Sequence, residues 1–192
     1  MNPLKTHGNG EKGNFIADTV HSVPLPENSL IHSAFTMTDL ADAYATKLPA
    51  YVTGGAEEVA RIILSRPAPW FRGLMRIRDL VMRCFGVKTS AQLRQEAVSR
   101  GSDHIDFFRI ITRTPDEIIL GANDRHLDFR LSILLRPHAS GQGREVVVST
   151  VVHCHNWVGR TYITLINPFH TLVVRSFLVR AANQPCVYID GV

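Results

Sequence analysis

The sequence predicts an α+β domain, in which a curved antiparallel sheet of about six strands grips a long C-terminal helix. Strand-like apolar runs follow one another between residues 105 and 166 with only short turns between them. Strands joined by short turns pair antiparallel. Helical periodicity is confined to the region after the first strand and to the C-terminal region, which is the segregation typical of α+β domains. We therefore expect a single helix-grip-like domain over residues 29–192, preceded by a disordered or extended lead at 1–28.

Composition narrows the classes of function. The 192 residues are 45% hydrophobic and 20% charged, which suits one globular core. The net charge of +4 permits an anionic ligand, but the sequence carries no nucleic-acid-binding motif, so no nucleic-acid partner is predicted. Cys84, Cys154 and Cys186 form no CxxC pair, which favours a reducing, cytoplasmic location. No signal peptide and no membrane span are expected, because no apolar run reaches the ~18 residues required.

The first half of the chain predicts one strand and two helices. Residues 15–28 contain Pro24 and Pro26 and predict an extended surface segment. The first strand is expected to open at Phe35 or Asp42 and to close at Pro49. Helices are predicted for Ala56–Ser65 and Pro69–Phe85, and Thr89–Arg100 is either a third short helix or a loop.

The second half predicts five strands and the C-terminal helix. The strands are expected at Ile105–Thr112, Ile118–Ala122, Leu127–Arg136, Val146–His155 and Thr161–Ile166. Trp157 to Gly159 is predicted to turn. Asn167 is then expected to cap the last helix, with Pro168 at its first position and Asn183 at its end. Its apolar face is expected to carry Phe169, Leu172, Val173 and Phe177.

Three motifs carry a resemblance to a known family. They are the run from Gly121 through Asp124 to His126-Leu-Asp-Phe-Arg130, the segment Asn156–Tyr162 with Gly159-Arg160-x-Tyr162, and Pro168-Phe169-His170. From about Asp42 to Arg180 the chain resembles a bacterial domain-of-unknown-function family, which also occurs fused behind short-chain-dehydrogenase-like domains. That family is similar to the START-like, helix-grip superfamily, which implies a cavity for apolar molecules under the last helix. No GxGxxG follows a strand here, so no NAD site and no cofactor are predicted.

A row of alternating polar residues is the main candidate site. His126, Asp128, Arg130 and Ser132 alternate with apolar residues, so they are predicted to share one face of a strand. That face is either in contact with solvent or a polar wall inside the cavity. In a cavity, Asp128 would orient His126 or pair with Arg130, and Arg130 would meet an anionic ligand group.

Histidines and an Arg-Tyr pair supply the other candidates. His153 and His155 project to one side of a strand, but without a familiar third ligand they are expected to make ordinary hydrogen bonds, and no metal is predicted. Arg160 and Tyr162 are expected on one side of the last strand, and His170 in the first turn of the last helix, where the helix dipole favours a neutral imidazole. The predicted ligand-binding set is Asp124, His126, Asp128, Arg130, His155, Asn156, Arg160, Tyr162 and His170.

Three functions remain open at this point. The first is a cytoplasmic domain that binds a small, mostly apolar molecule with an acidic or carbonyl group. The second is an enzyme in the same cavity, with His126 as base, Asp128 as its orienter, and Arg130, Arg160 or Tyr162 stabilising negative charge. The third is an interaction module without a useful cavity. An unpaired edge strand would favour a homodimer.

Overall fold

The computed structural model describes residues 20–65, 68–71, 73–76, 103–106 and 108–183. It confirms the α+β class, with a seven-stranded antiparallel sheet of order β1-β2-β7-β6-β5-β4-β3 and a long C-terminal helix. The strands are β1 Val20–Ser22, β2 Leu40–Lys47, β3 His104–Ile105, β4 Phe108–Arg113, β5 Glu117–Asn123, β6 Leu127–Pro137 and β7 Arg144–Cys154. Helix α1 is Ala56–Ser65, helix α2 is Trp157–Ala182, and Leu30–Ser33 form a 3-10 turn.

Two antiparallel pairings set the register of the long strands. β6 and β7 form a hairpin that pairs from Leu127↔Cys154 to Pro137↔Arg144, and Gly141 and Gly143 adopt positive φ in its loop. β2 adds to the other side of β7, from Leu40↔Val152 to Lys47↔Glu145. The early strand therefore lies beside the last one, and three long strands form the centre of the sheet.

The predicted last strand is wrong. Residues 161–166 belong to α2, which is one continuous helix, and the predicted turn at Trp157–Gly159 is its first turn. The predicted cap at Asn167 is also wrong, because Asn156 caps the helix and its side chain accepts a hydrogen bond from Gly159 N at 3.2 Å. Pro168 lies inside the helix. It has no backbone N–H, so the Thr164 carbonyl does not receive the usual helical hydrogen bond.

The β-branched residues in this stretch explain the error. The run Thr161-Tyr-Ile-Thr-Leu-Ile166 has strand propensity, but such propensity is weak beside a good cap and tertiary packing. The Thr164 hydroxyl also forms a hydrogen bond within the helix, donating from Oγ1 to Arg160 O at 2.8 Å. The predicted helix end at Asn183 is confirmed, since Asn183 is the C-cap.

The remaining elements fall close to their predicted positions. α1 is confirmed over Ala56–Ser65, and the first predicted strand is β2. The strand predicted at Ile105–Thr112 is divided into β3 and β4, because Asp106 takes a left-handed φ of 53° between them. β1 forms within the predicted lead. Of the helix predicted at Pro69–Phe85, residues 71 and 73–76 are helical; its remainder, the segment Thr89–Arg100 and residues 1–19 lie largely outside the described residues.

Different segments of the chain pack against the two faces of the sheet. We call the side that bears Leu131, Ile133 and Val148 the front face; α1 and α2 pack against it in the main core. The side that bears Ser132, Leu134 and Val147 is the back face. Residues 23–35 cover the back face, and Ile31 of the 3-10 turn packs there against Ile119 and Val151.

α2 contacts the front face at its start and in its C-terminal half. Its buried residues are Gly159, Val174, Leu178 and Ala181, so none lies between Gly159 and Val174. Tyr44 of β2 meets Thr171 at 3.2 Å between hydroxyl oxygens, which holds the helix over the β2 edge. By length and composition α2 could cross a membrane, although one such helix is weak evidence for a span.

Candidate functional site

A large cavity lies between α2 and the front face. Its volume is about 820 Å³, within the size range of small-molecule sites. Leu131, Ile133 and Val152 line it from the sheet, and Ile163, Ile166 and Val173 line it from the helix. Phe108 and Phe129 meet edge to face in this wall, with ring centroids 5.8 Å apart. The space thus has mostly apolar walls.

The β5–β6 turn supplies one polar end of the cavity. Asp124, Arg125 and His126 border it there. His126 Nδ1 lies 3.2 Å from Asn156 Oδ1, the same oxygen that accepts the hydrogen bond from Gly159 N. The helix cap therefore also positions the His126 ring.

Glycine at position 159 is required by the approach of α2 to this turn. A Cβ at Gly159 would collide with the carbonyl oxygen of His126. That same oxygen accepts a hydrogen bond from His155 N at 2.9 Å, so it has little freedom to move away. The start of α2 can lie against the turn only because this residue has no side chain.

The predicted polar row faces the back of the sheet from Asp128 onward. Asp128 lies opposite His153 in the strand register, and its Oδ1 is 3.2 Å from His155 Nε2. Its ion-pair partner among the described residues is thus His155. His126 precedes the strand, so the alternation that would group it with Asp128 does not apply.

Arg130 also belongs mainly to the back face. Its guanidinium lies 5.0 Å from the centroid of the Phe35 ring, and Nη1 donates to Asn123 Oδ1 and Phe129 O, both at 2.8 Å. Burial lowers the pKa of Arg130, and the charge of Asp128 opposes that shift. Arg130 also borders the rim of the cavity.

Asp39 ties the end of β7 to the first turns of α2. It accepts hydrogen bonds from Cys154 N at 2.7 Å and from Arg160 Nε at 3.2 Å. The hydrogen bond from the Cys154 backbone lowers the pKa of Asp39, with help from Arg160, against the raising effect of burial. Arg160 is therefore engaged with Asp39 at the side of the cavity, and it lies on a helix rather than on the predicted strand.

His153 and His155 stand together on the back face. Their rings meet edge to face at 5.2 Å, and His153 also contacts the Phe35 ring. Within the described ranges no group of three or more His, Cys, Asp or Glu residues could hold a metal ion. Cys154 alternates with them and is buried, and this burial raises the pKa of its thiol.

His170 joins α2 to β2 at the cavity wall. Its Nε2 lies 3.3 Å from Asp42 Oδ2, and its ring borders the cavity. It stands near the middle of α2, so the predicted effect of the helix N-terminus does not reach it. Tyr162 borders the cavity from the same helix.

The predicted site residues thus separate into two groups. The cavity is bordered by Asp124, His126, Arg130, Tyr162 and His170, whereas its lining by described residues does not include Asp128, His155, Asn156 or Arg160. Sequence reasoning missed Asp39 and Asp42, and also Thr150, which borders the cavity from β7. Asp42 carried a signal, since it is an acid in an otherwise mainly apolar strand; Thr150 carried none, because a threonine among valines is ordinary in a strand.

A family model described as "Protein of unknown function (DUF2867)" matches residues 34–177. The match spans β2, α1, the strands β3 to β7 and most of α2. No curated protein matches the chain, and no solved structure matches it.

Proposed function

Since the chain belongs to this family of proteins of unknown function, we propose its function from the cavity: it binds a small, mostly apolar molecule between α2 and the front face. The observation that carries the proposal is the cavity of about 820 Å³ between α2 and the front face. The side chains that line this space lack the contacts that residues in a close-packed interior make with one another. A bound molecule would recover those contacts.

The walls suit such a ligand. Aliphatic side chains from both layers would supply affinity through burial, at roughly 25 cal/mol per Å² of apolar surface. The few polar groups at the β5–β6 turn and at His170 would fix its orientation. Acid–base catalysis by His126 with Asp128 has less support, because Asp128 pairs with His155 on the back face.

Native mass spectrometry of freshly purified protein tests the proposal. We expect a species heavier than the bare chain, and the released molecule should be recovered in organic solvent. Val152 borders the cavity, so Val152→Phe, which places a ring in that space, should reduce the fraction of the protein that carries the extra mass. Bare wild-type protein, with no apolar compound in the organic extract, would contradict the proposal.

An exposed stripe on α2 favours docking to another protein as the second candidate. Leu165, Phe169 and Leu172 are spaced four and three residues apart and are 58%, 46% and 58% exposed. A stripe of this kind suits contact with a partner helix or a second copy of the chain. Light scattering of the wild type and of Leu165→Asp tests self-association; a monomer at all concentrations in both would exclude a homodimer through this stripe.

A further inference from the structure

We propose that the cavity contains a hydroxyl-binding subsite formed by Thr150, Asp42 and His170, so that the polar group of the ligand is an alcohol. The inference rests on the proposed binding function and names the chemistry of its ligand. The subsite lies on the β2–β7 side of the cavity, away from the β5–β6 turn.

Thr150 is the first component. It lies on the front face of β7, is 6% exposed and borders the cavity. Its Oγ1 is buried, and no hydrogen-bond partner for it is found among the residues that the structure describes. Buried hydroxyls are nearly always hydrogen-bonded, and leaving one unpaired costs free energy. A ligand atom in the cavity would supply the missing partner.

Asp42 and His170 are the second component. Asp42 is directly opposite Thr150 in the β2–β7 register, so the two side chains leave the same face of neighbouring strands. The Asp42 carboxylate can only accept, so the contact of 3.3 Å fixes the proton of a neutral His170 on Nε2. Nδ1 then carries a lone pair, and no hydrogen bond to Nδ1 is found within the described part of the chain.

An alcohol matches both groups at once. Its oxygen can accept a hydrogen bond from Thr150 Oγ1, and its proton can be donated to His170 Nδ1. An ether or ketone can only accept, so it would leave the imidazole lone pair unpaired. A carboxylate would in addition meet the negative charge of Asp42 in a partly desolvated place. The subsite therefore favours a hydroxyl over the acidic or carbonyl group expected from the sequence.

Displacement of the neutral fluorescent probe N-phenylnaphthylamine tests the selectivity. We expect dodecanol to displace the probe from the wild type at a concentration about tenfold lower than dodecyl methyl ether or dodecanoate, which corresponds to one hydrogen-bonded pair. Thr150→Val removes the hydroxyl while keeping the shape. It should raise the displacing concentrations of both dodecanol and the ether about tenfold, because both oxygens lose the donor from which they accept. The preference for dodecanol should remain, because the alcohol still donates to His170 Nδ1.

The adjacent residue provides a matched control. Ser149 Oγ is also buried without a partner among the described residues, but Ser149 points to the back face. Ser149→Ala should leave the displacing concentration of dodecanol and its tenfold preference over the ether unchanged, whereas His170→Phe should lose the preference. Folding of each variant is checked by circular dichroism and by the binding of the probe itself.

The outcomes separate the two proposals. A wild type that binds neither the probe nor dodecanol overturns both the cavity function and the subsite. A wild type that binds the probe but responds equally to the alcohol and the ether overturns the subsite alone. A preference that survives His170→Phe, or a displacing concentration of dodecanol that is unchanged in Thr150→Val or raised equally in Ser149→Ala, also overturns the subsite alone.

Discussion

The two faces of the sheet belong to the same strands, but different parts of the chain pack against them. On the back face, the buried carboxylate of Glu117 accepts hydrogen bonds from Ser29 Oγ and Ser132 Oγ, both at 2.5 Å, and from Leu30 N at 2.9 Å. Ile31 fills the space beside this network. On the front face, α2 spans the sheet between Gly159 and Val174 without burying a residue, and the cavity lies beneath it.

This difference shows that polarity along a strand does not mark the functional face. The alternating row in β6 directs Arg130 and Ser132 to the back, where Phe35, Asn123 and Glu117 already contact them. The front-face residues of the same strand are apolar, yet they border the empty space. The back-face polar groups form hydrogen bonds within the chain and so stabilise the fold. Thr150 and His170 instead border the cavity, in which a ligand can lie.

The largest effect is expected from removal of Glu117. Glu117→Ala leaves two hydroxyls and one backbone N–H buried without their acceptor, so the free energy of unfolding should fall by roughly 3–5 kcal/mol. Urea denaturation measures this loss. Probe binding per folded molecule should be unchanged, because Glu117 is on the back face; loss of binding without loss of stability would contradict the division between the faces.

A smaller but still large effect is expected where α2 meets the β5–β6 turn. Gly159→Ala would force its Cβ against the His126 carbonyl and should cost about 3 kcal/mol. Gly73 is a matched control, because it is helical and a Cβ there meets nothing within 4 Å. Gly73→Ala should therefore be neutral or stabilise by up to about 1 kcal/mol in the same thermal melts. Equal effects at the two glycines would exclude the close approach.

Substitutions of two adjacent valines in β7 compare how tightly the two faces are packed. Val151 is 2% exposed and packs against Ile31 and Ile119, so Val151→Phe should overpack the back face and cost about 2 kcal/mol. Val152 borders the cavity, and Val152→Phe should cost less than about 1 kcal/mol because the ring enters open space. Urea denaturation of both variants measures the difference, and the reverse order would contradict it.

The smallest effect concerns Asp39 and depends on pH. The lowered pKa of Asp39 means that its charge stabilises the fold fully above the ordinary value of 3.8, and that this contribution is lost as the pH falls through the lower folded value. Asp39→Asn should therefore cost about 1 kcal/mol at pH 7. The difference from the wild type should shrink as the pH falls below 3.8; a difference that grows would contradict the assignment.

Local sequence signals were sufficient for the elements that have one clear period. The i, i+3, i+4 spacing of Val59, Ile62 and Ile63 predicted α1, and the alternation of β6 predicted the extent of that strand. The short turns on either side of β6 predicted its antiparallel pairing. They failed between Trp157 and Ile166, where β-branched residues favour a strand. There the decisive interactions, the Asn156 cap and the contact of Gly159 with His126, depend on tertiary structure.

The candidate site was predicted in part for the same reason. His170 was found because histidine is chemically conspicuous, but its partner Asp42 lies 128 positions earlier in the chain, and only the sheet register brings Thr150 beside it. Which side of β6 faces the cavity is decided by the covering layers. No pattern within the strand itself contains that information.

Fluorescence titration of the purified protein with N-phenylnaphthylamine, compared between the wild type and Val152→Phe, tests the cavity most directly. We expect saturable one-to-one binding by the wild type, with displacement by dodecanol, and clearly weaker binding by the folded variant. Saturable binding that is unchanged in Val152→Phe, or its absence from the wild type, would contradict the existence of a ligand cavity beneath α2.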